Sequence, residues 1–260
     1  MKPNDHITLY EPINVYKPWG DGIGIVDGPL VYMSYPGLPF LHFPFPTRMT
    51  VVQLQNGDLW LHSPTAHTPE LAEALSKRGR VAHLVSPNLL HYANIPAWKA
   101  RFPEAVAWAS PGVRKRAGSQ HIDVRFDREL DAEAIPETWK DDLKQAVVPG
   151  KLLDEFVYFH EASKTLILTD TIQNFELDKL RQPYRALVWL ARAYAPHGQM
   201  PLDLRSTFLF NRTEIREAAR EMLSWRPESI ILSHGKNIGH DAPAAIRRTF
   251  RFALRGQGPS

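Results

Sequence analysis

The sequence has no cysteine and no long hydrophobic run. Without cysteine, disulfides, thiolate-bound zinc and a cysteine nucleophile are excluded, and such a composition is typical of a reducing compartment. No segment approaches the roughly 20 apolar residues that a transmembrane helix needs, and the first residues lack the apolar stretch of a signal peptide. We therefore expect a cytoplasmic protein with no membrane span. Any metal ligands must be His, Asp, Glu, Asn or backbone groups.

Net charge is also small. Lys and Arg number 31 against 28 Asp and Glu, which leaves a formal charge of +3. We interpret the basic cluster Arg114-Lys115-Arg116 as solvated surface, because nucleic-acid binding usually needs a broader basic stripe. Gly20-Asp21-Gly22 lacks the rest of a phosphate-binding fingerprint, so nucleotide binding is not supported. The expected partner is a small molecule rather than nucleic acid or a membrane, with the oligomeric state left open.

Hydrophobic residues make up 43% of the chain, enough for a substantial core in a single domain over residues 1–260. Short apolar runs bounded by turn signals predict strands, including a hairpin around Asn56-Gly57 and another that joins Glu155–His160 to residues 164–169. Thr68-Pro69 predicts the start of a helix, and helical spacing dominates the last third of the chain. Hairpins together with helices predict a mixed α/β fold.

Residues 34–48 alternate proline with aromatic and aliphatic residues. Proline removes backbone donors and fixes φ, so this segment predicts an aromatic-rich loop rather than a central strand or a helix. Such a loop can simply pack over the core. It can also form a wall or lid of a ligand pocket, since loops on a rigid scaffold often carry binding residues.

Three apolar runs each end at or near a residue that can bind a metal ion. The runs and their polar residues are residues 81–85 with His91, residues 166–169 with Asp170, and residues 230–233 with His234. Because a sheet holds the end of a strand in place, we expect these three side chains to meet at one site. Two imidazoles and one carboxylate suit zinc, iron or manganese, and three protein ligands leave a position for water.

Each of these residues also has a structural interpretation. His91 fits a histidine at the edge of the core, Asp170 fits a turn cap or a partner of Lys151, and His234 fits a hydrogen bond to a carbonyl group. His160 is a further candidate, either as a core histidine or as an extra metal ligand. The spacing along the chain leaves these alternatives open.

The order and surroundings of these segments resemble the metallo-β-lactamase superfamily. In that superfamily one strand ends in His-x-His-x-Asp-His, a second region reads Pro-Gly-His, and a later aspartate and histidine each end a strand. The corresponding segments here are residues 85–91, Val148-Pro149-Gly150-Lys151, Thr169-Asp170 and Ser233-His234-Gly235. The chain looks most like a branch described as a domain of unknown function, from about residue 8 to residue 254. The resemblance implies a four-layer αββα sandwich, with two mixed sheets packed together and helices outside.

This sequence departs from the superfamily pattern at four ligand positions. Ser86 and Asn88 replace the first two histidines of the motif, Leu90 replaces its aspartate, and Lys151 replaces the histidine of Pro-Gly-His. By this resemblance the three-histidine metal site is lost, while His91, Asp170 and His234 of the second site remain. The resemblance therefore implies at most one metal ion.

Two functions follow as hypotheses. The first is a hydrolase with one metal at His91, Asp170 and His234, acting on an ester, lactone, amide or phosphoester, in which Asn88 orients the substrate and Lys151 stabilises an oxyanion. The second is a metal-free relative that binds a small molecule or a protein. In that relative, the Lys151 ammonium takes the place of the metal beside Asp170.

Overall fold

Two β-sheets pack against each other in the computed structural model, which describes residues 6–35, 38–151, 153–208 and 211–255. The first sheet contains β1 (Tyr16–Gly20), β2 (Ile23–Tyr35), β3 (Leu38–Gln53), β4 (Leu59–His62), β5 (Val81–Ser86), β6 (Val106–Ala109) and β7 (Arg128–Glu129), in that order. The second contains β8 (Leu143–Val148), β9 (Glu155–His160), β10 (Thr165–Leu168) and β11 (Ser229–Leu232), in the order β11-β10-β9-β8. Both sheets are mixed, because β4 to β7 run parallel and so do β10 and β11.

Most of the helices lie on the outer faces of the two sheets, whereas the helix at residues 184–191 packs against the β2–β3 hairpin. The helices are α1 (Pro69–Ser76), α2 (Ile95–Arg101), α3 (Val113–Ser119), α4 (Tyr184–Ala191), α5 (Leu202–Thr207), α6 (Arg212–Ser224), α7 (Ala242–Thr249) and α8 (Arg251–Leu254), with a 3-10 turn at Leu177–Lys179. The Thr68 hydroxyl accepts a hydrogen bond from the Leu71 amide, which confirms the predicted helix start. None of the helices in the described part of the chain combines the length and apolarity that crossing a bilayer requires.

The apolar cores show how the layers are stacked. Strand β9 alternates its side chains, so that Phe156 and Tyr158 point into the core between the sheets while Val157 and Phe159 pack towards α6, α7 and α8. A separate core joins the first sheet to α1, α2 and α3. The order of layers is therefore helix, sheet, sheet, helix, which confirms the predicted αββα sandwich.

Most of the segment predicted as an aromatic loop is strand. Strands β2 and β3 form a long antiparallel hairpin in which Leu30 pairs with Pro46 and Tyr32 pairs with Pro44. β4 pairs with β3 only from Thr50 to Gln53, so residues 30–35 and 38–46 extend beyond the sheet as a two-stranded arm. A proline can occupy such an edge because its missing N–H is not needed by a second neighbour. The expectation of a loop was wrong for this reason, although residues 36–37 lie outside the described residues.

Candidate metal centre

The candidate centre lies where strands from both sheets end. In the second sheet β10 and β11 are parallel, with Leu168 paired to Leu232, and Asp170 and His234 each follow two residues later. In the first sheet β5 ends at Ser86, and the turn after it carries His91. The structure thus brings together three residues that are far apart in sequence, and the centre straddles the two sheets.

The ligand atoms of the three side chains face one another. His91 Nε2 lies 3.1 Å from Asp170 Oδ2, and His234 Nε2 lies 3.2 Å from Asp170 Oδ1. The two imidazole rings have their centroids 5.4 Å apart, and one ligand atom from each of the three residues lies within 4.8 Å of the others. Their side chains are 10%, 5% and 4% exposed for His91, Asp170 and His234, so all three are largely buried and His91 is the most exposed.

The hydrogen bond at Nδ1 of His234 determines which of the two ring nitrogens carries the proton in the neutral ring. His234 Nδ1 lies 2.8 Å from the Pro46 carbonyl oxygen, which can only accept, so Nδ1 carries the proton. In a neutral ring Nε2 is then a bare lone pair that faces the Asp170 carboxylate. Two electron-rich atoms at this distance repel each other unless a cation lies between them, and that cation is either a proton or a metal ion.

His91 is held by a hydroxyl group. Its Nδ1 lies 2.6 Å from Ser63 Oγ, and a hydroxyl can either donate or accept this hydrogen bond. Ser63 has a positive φ of 54°, in the turn directly after β4. Because Ser63 suits either tautomer, it leaves His91 Nε2 free to bind a proton or a metal while keeping the ring in place.

The charges within the cluster shift the pKa values of its members. Burial by itself raises the pKa of Asp170, but the charges and hydrogen bonds of His91 and His234 outweigh it and hold the pKa far below its usual range. Burial lowers the pKa of His91, and the nearby Asp170 carboxylate, with Glu155 further away, outweighs it and raises the pKa above the ordinary value. The Asp170 carboxylate is therefore ionised at neutral pH.

Comparison with protein families gives one match to the chain. A family model described as "Domain of unknown function (DUF4336)" matches residues 38–181, which are 144 of the 260 residues and include His91 and Asp170. The chain belongs to this family. Comparison with curated proteins gives no match.

Solved structures similar to this DUF4336 member are metallo-β-lactamases and a flavodiiron protein. DIM-1 metallo-β-lactamase exposed to ceftazidime has a TM-score of 0.60 at 15% identity, and the match covers 92% of this chain and 95% of that one. A metallo-β-lactamase from Hirschia baltica has a TM-score of 0.56 at 14% identity, with 92% and 97% covered. The metal-soaked Flv1 flavodiiron core from Synechocystis sp. PCC6803 has a TM-score of 0.58 at 10% identity, with 92% and 60% covered. Such likenesses show that this family member has the metallo-β-lactamase fold.

Asn88 connects two parts of the centre. Its amide nitrogen donates to Asp170 Oδ2 at 2.6 Å and to the Thr169 hydroxyl at 2.9 Å, while its oxygen accepts from the backbone amides of Leu90 and His91. The side chain is fully buried and both of its polar atoms are engaged. The expectation that Asn88 orients a substrate is corrected by these contacts, because the amide group has no polar atom to spare. Asn88 instead aligns the turn bearing His91 with the carboxylate of Asp170.

Glu155, which the sequence analysis did not single out, holds the loop that carries Asp170. Its carboxylate accepts from the backbone amides of Thr169, Asp170 and Thr171, and from the Thr171 hydroxyl, at 2.6–2.9 Å. Burial and the Asp170 charge raise the pKa of Glu155, while these four donors oppose the rise. A sequence signal did exist, since Glu155 shares a strand face with Val157 and is the one carboxylate on that otherwise apolar face.

Arg48 fixes the loop that carries His234. Its guanidinium group pairs with Asp27 and donates to the carbonyl oxygens of Leu232 and Gly235 at 2.6 and 2.7 Å. Gly235 has a φ of 91°, and a Cβ there would lie 2.4 Å from the backbone of Asn174. The turn therefore requires glycine directly after His234, and the buried arginine from the first sheet clamps it from the other side.

Two other candidates lie outside the cluster. Lys151 is exposed after β8, and His91 and His234 lower the pKa of Asp170, while the roles expected for Lys151 as a counter-ion or as a stabiliser of an oxyanion stay predictions. His160 is buried at the far end of β9, where it pairs with Thr165 at the start of β10 and contacts the Ser163 hydroxyl. The antiparallel register therefore corrects the idea of His160 as an extra ligand. Five strand residues place it about 16 Å from Glu155.

Proposed function

We propose that this protein binds one divalent metal ion, zinc, iron or manganese, through His91, Asp170 and His234. The observation that carries the proposal is the hydrogen bond from His234 Nδ1 to the Pro46 carbonyl oxygen, which turns the lone pair of Nε2 towards Asp170. Nitrogen and oxygen ligands of a tetrahedral zinc ion lie about 3.3 Å apart when each bond is about 2.0–2.1 Å. The separations of 3.1 Å from His91 Nε2 to Asp170 Oδ2 and 3.2 Å from His234 Nε2 to Asp170 Oδ1 are close to that spacing, although they involve the two different oxygens of the carboxylate.

We further propose that the bound ion serves the hydrolysis of a small molecule. A divalent metal with an open position lowers the pKa of bound water and polarises a substrate oxygen. The residues of this chain have the other roles. Asp170 provides the negative charge, and Asn88 and Glu155 hold the Asp170 side chain and its loop in place. We propose that a ligand enters from the side of His91, which is the most exposed of the three. An ester, lactone, amide or phosphoester is the proposed substrate class.

A second candidate function is binding without metal or catalysis. It is favoured by the fact that each oxygen of Asp170 already has a histidine nitrogen at hydrogen-bond distance. Two protons can fill the same gaps as one metal ion, which would make the cluster a closed ionic network inside a binding module.

Metal analysis of the purified protein tests the proposal. Protein prepared without chelator is analysed by plasma emission, with one ion per chain expected for the wild type and a loss of at least tenfold in His91→Ala and His234→Ala. His160→Ala is the matched control, since it removes a buried histidine at the far end of β9 and should leave the metal content unchanged. Equal metal in wild type and His91→Ala would overturn the proposed site.

The melting temperature separates the two candidate functions. A ligand that binds only the folded protein stabilises it, by about 2.7 kcal/mol at a hundredfold excess over Kd. Wild-type protein whose metal has been removed with a chelator should therefore melt at a higher temperature after zinc, manganese or iron is added. His91→Ala treated in the same way should show no such rise. No response to any of the three ions would favour the metal-free function.

A further inference from the structure

A cavity rich in arginine lies on the outer helical layer, away from the candidate metal centre. It has a volume of about 380 Å³ and is formed by α5, the first residue of α6, and α8 with the residue after it. The lining residues are Leu202, Arg205, Ser206, Arg212, Arg251, Phe252 and Arg255. Four of the seven are arginines and none is acidic, and no residue of the metal centre lines the cavity.

No described carboxylate balances the positive charge in this cavity. Among the side chains that the structure describes, which exclude that of residue 203 in α5, no Asp or Glu lies within 4.0 Å of the guanidinium groups of Arg205, Arg212, Arg251 or Arg255. Arg251 begins α8 and Arg255 directly follows it, so the ends of this short helix bring two like charges to the same cavity. An array of this kind is electrostatically unfavourable until an anion enters it.

The helices that carry the arginines are anchored. Arg216 of α6 donates from Nε to the carbonyl oxygen of Ala253 at 2.8 Å, and Ala253 is fully buried, so α8 is fixed on α6. Phe252 packs against the core of the second sheet, and the Arg205 guanidinium carbon lies 6.0 Å from the centre of its ring. The arginines therefore project from a rigid frame, which lowers the entropy cost of binding.

We propose that this cavity binds a small phosphorylated compound through its phosphate group. A guanidinium group offers a planar pair of donors that matches two phosphate oxygens, and it stays charged at any physiological pH. The volume falls in the range of about 300–1,000 Å³ that is usual for small-molecule sites. Leu202 and Phe252 supply an apolar wall for the remainder of such a ligand.

Calorimetric titration with pyrophosphate tests this site. The background is His91→Ala after metal removal, so that pyrophosphate has no metal to bind at the other centre. We expect saturable binding of one pyrophosphate per chain, and a Kd at least tenfold weaker in Arg251→Gln/Arg255→Gln. Arg185→Gln/Arg220→Gln is the matched control, because it removes the same charge from exposed positions on α4 and α6 and should change the Kd by less than twofold.

Other probes and a second variant sharpen the test. Inorganic phosphate should bind more weakly than pyrophosphate at the same site, and citrate at least tenfold more weakly than pyrophosphate. Arg212→Gln, whose side chain is exposed, should weaken pyrophosphate binding severalfold without affecting folding, as checked by circular dichroism. The proposal is overturned by absence of saturable binding at millimolar pyrophosphate, by equal losses in the two double variants, or by citrate binding as tightly as pyrophosphate.

Discussion

The protein buries histidines in two different environments. His91 and His234 lie beside the Asp170 carboxylate, which raises the pKa of His91. His62 and His83 are also buried, but aromatic rings surround them, and burial lowers their pKa values to about 3 and about 4. The same side chain therefore acts as a candidate ligand in one place and as a neutral core residue in the other.

Packing explains the behaviour of the second pair. The His62 ring stacks on Trp60 with centroids 5.3 Å apart, and His83 has Trp139 at 5.0 Å and accepts a hydrogen bond from the Trp108 indole. Removing a charged imidazole from water is costly, and at His83 the opposing charge of Asp58 does not outweigh burial and the charge of Arg80, so such rings stay neutral. The comparison teaches that a close carboxylate partner, not burial itself, separates the candidate ligands from the core histidines.

Asp170→Asn breaks the comparison most directly. It leaves His91 and His234 buried without their anion, and losing one partner of a buried charged pair typically costs about 3–5 kcal/mol. We expect a loss of that size in chemical denaturation of the chelated protein, together with loss of any metal-dependent rise in Tm. Glu73→Gln, which removes an exposed pair with Lys77, is the control and should leave the unfolding free energy unchanged. Unaltered stability in Asp170→Asn would show that the cluster holds together without the carboxylate.

Glu155→Gln tests whether the loop that carries Asp170 depends on the buried carboxylate of Glu155. The amide has a single acceptor oxygen and places an NH2 group against donors, so about 3 kcal/mol of stability should be lost. Glu161→Gln, an exposed change one residue beyond the end of β9, is the control. If urea unfolding gave the same midpoint for Glu155→Gln and wild type, the four hydrogen bonds would not be holding the loop.

The stability of the protein in acid tests the histidines that are surrounded by aromatic rings. The unfolded chain takes up a proton on His83 near pH 6.5, but the folded chain does so only near pH 4, so acidification favours unfolding between these values. This contribution should cost about 1.6 kcal/mol between pH 6.5 and pH 5. In His83→Gln the fall in unfolding free energy over that range should be smaller by this amount. An identical pH dependence in variant and wild type would mean that His83 titrates normally.

Ser63→Ala should have the smallest effect. It removes the hydroxyl that orients His91, and loss of such an outer partner typically weakens metal binding by about 10–100-fold while the fold persists. Ser110→Ala is a matched control, because Ser110 is buried and its hydroxyl has no hydrogen-bond partner among the described residues. Competition with a zinc indicator dye measures both variants. Equal zinc affinities would remove Ser63 from the centre.

The positions of the candidate ligands could be predicted because each follows an apolar run. Asp170 and His234 follow β10 and β11 by two residues and have little choice of position once those strands pack, and the turn after β5 brings His91 to them. The prediction that they bind metal remains a prediction. The αββα fold followed from a resemblance spread over most of the chain, which tolerates the loss of individual ligands.

Other features depended on contacts between distant segments, which local pattern does not encode. Glu155 finds its partners in backbone amides 14–16 residues later, where no side-chain motif indicates them. The expectation of His160 as an extra ligand failed because a strand has two ends. Only the register of the hairpin shows that His160 lies at the end of β9 away from Asp170. The prolines of residues 34–48 excluded a central strand correctly, but they did not exclude a hairpin arm with one neighbour.

The division of the centre between two sheets has a consequence for folding. His91 comes from the first sheet, Asp170 and His234 come from the second, and Arg48 joins the sheets at the same point. Neither half alone holds all three residues of the candidate centre, so uptake of the proposed metal ion should be the final event of refolding. Release of the ion should be the earliest sign that the two halves are separating. Retention of the ion would then report that the two sheets are still packed together.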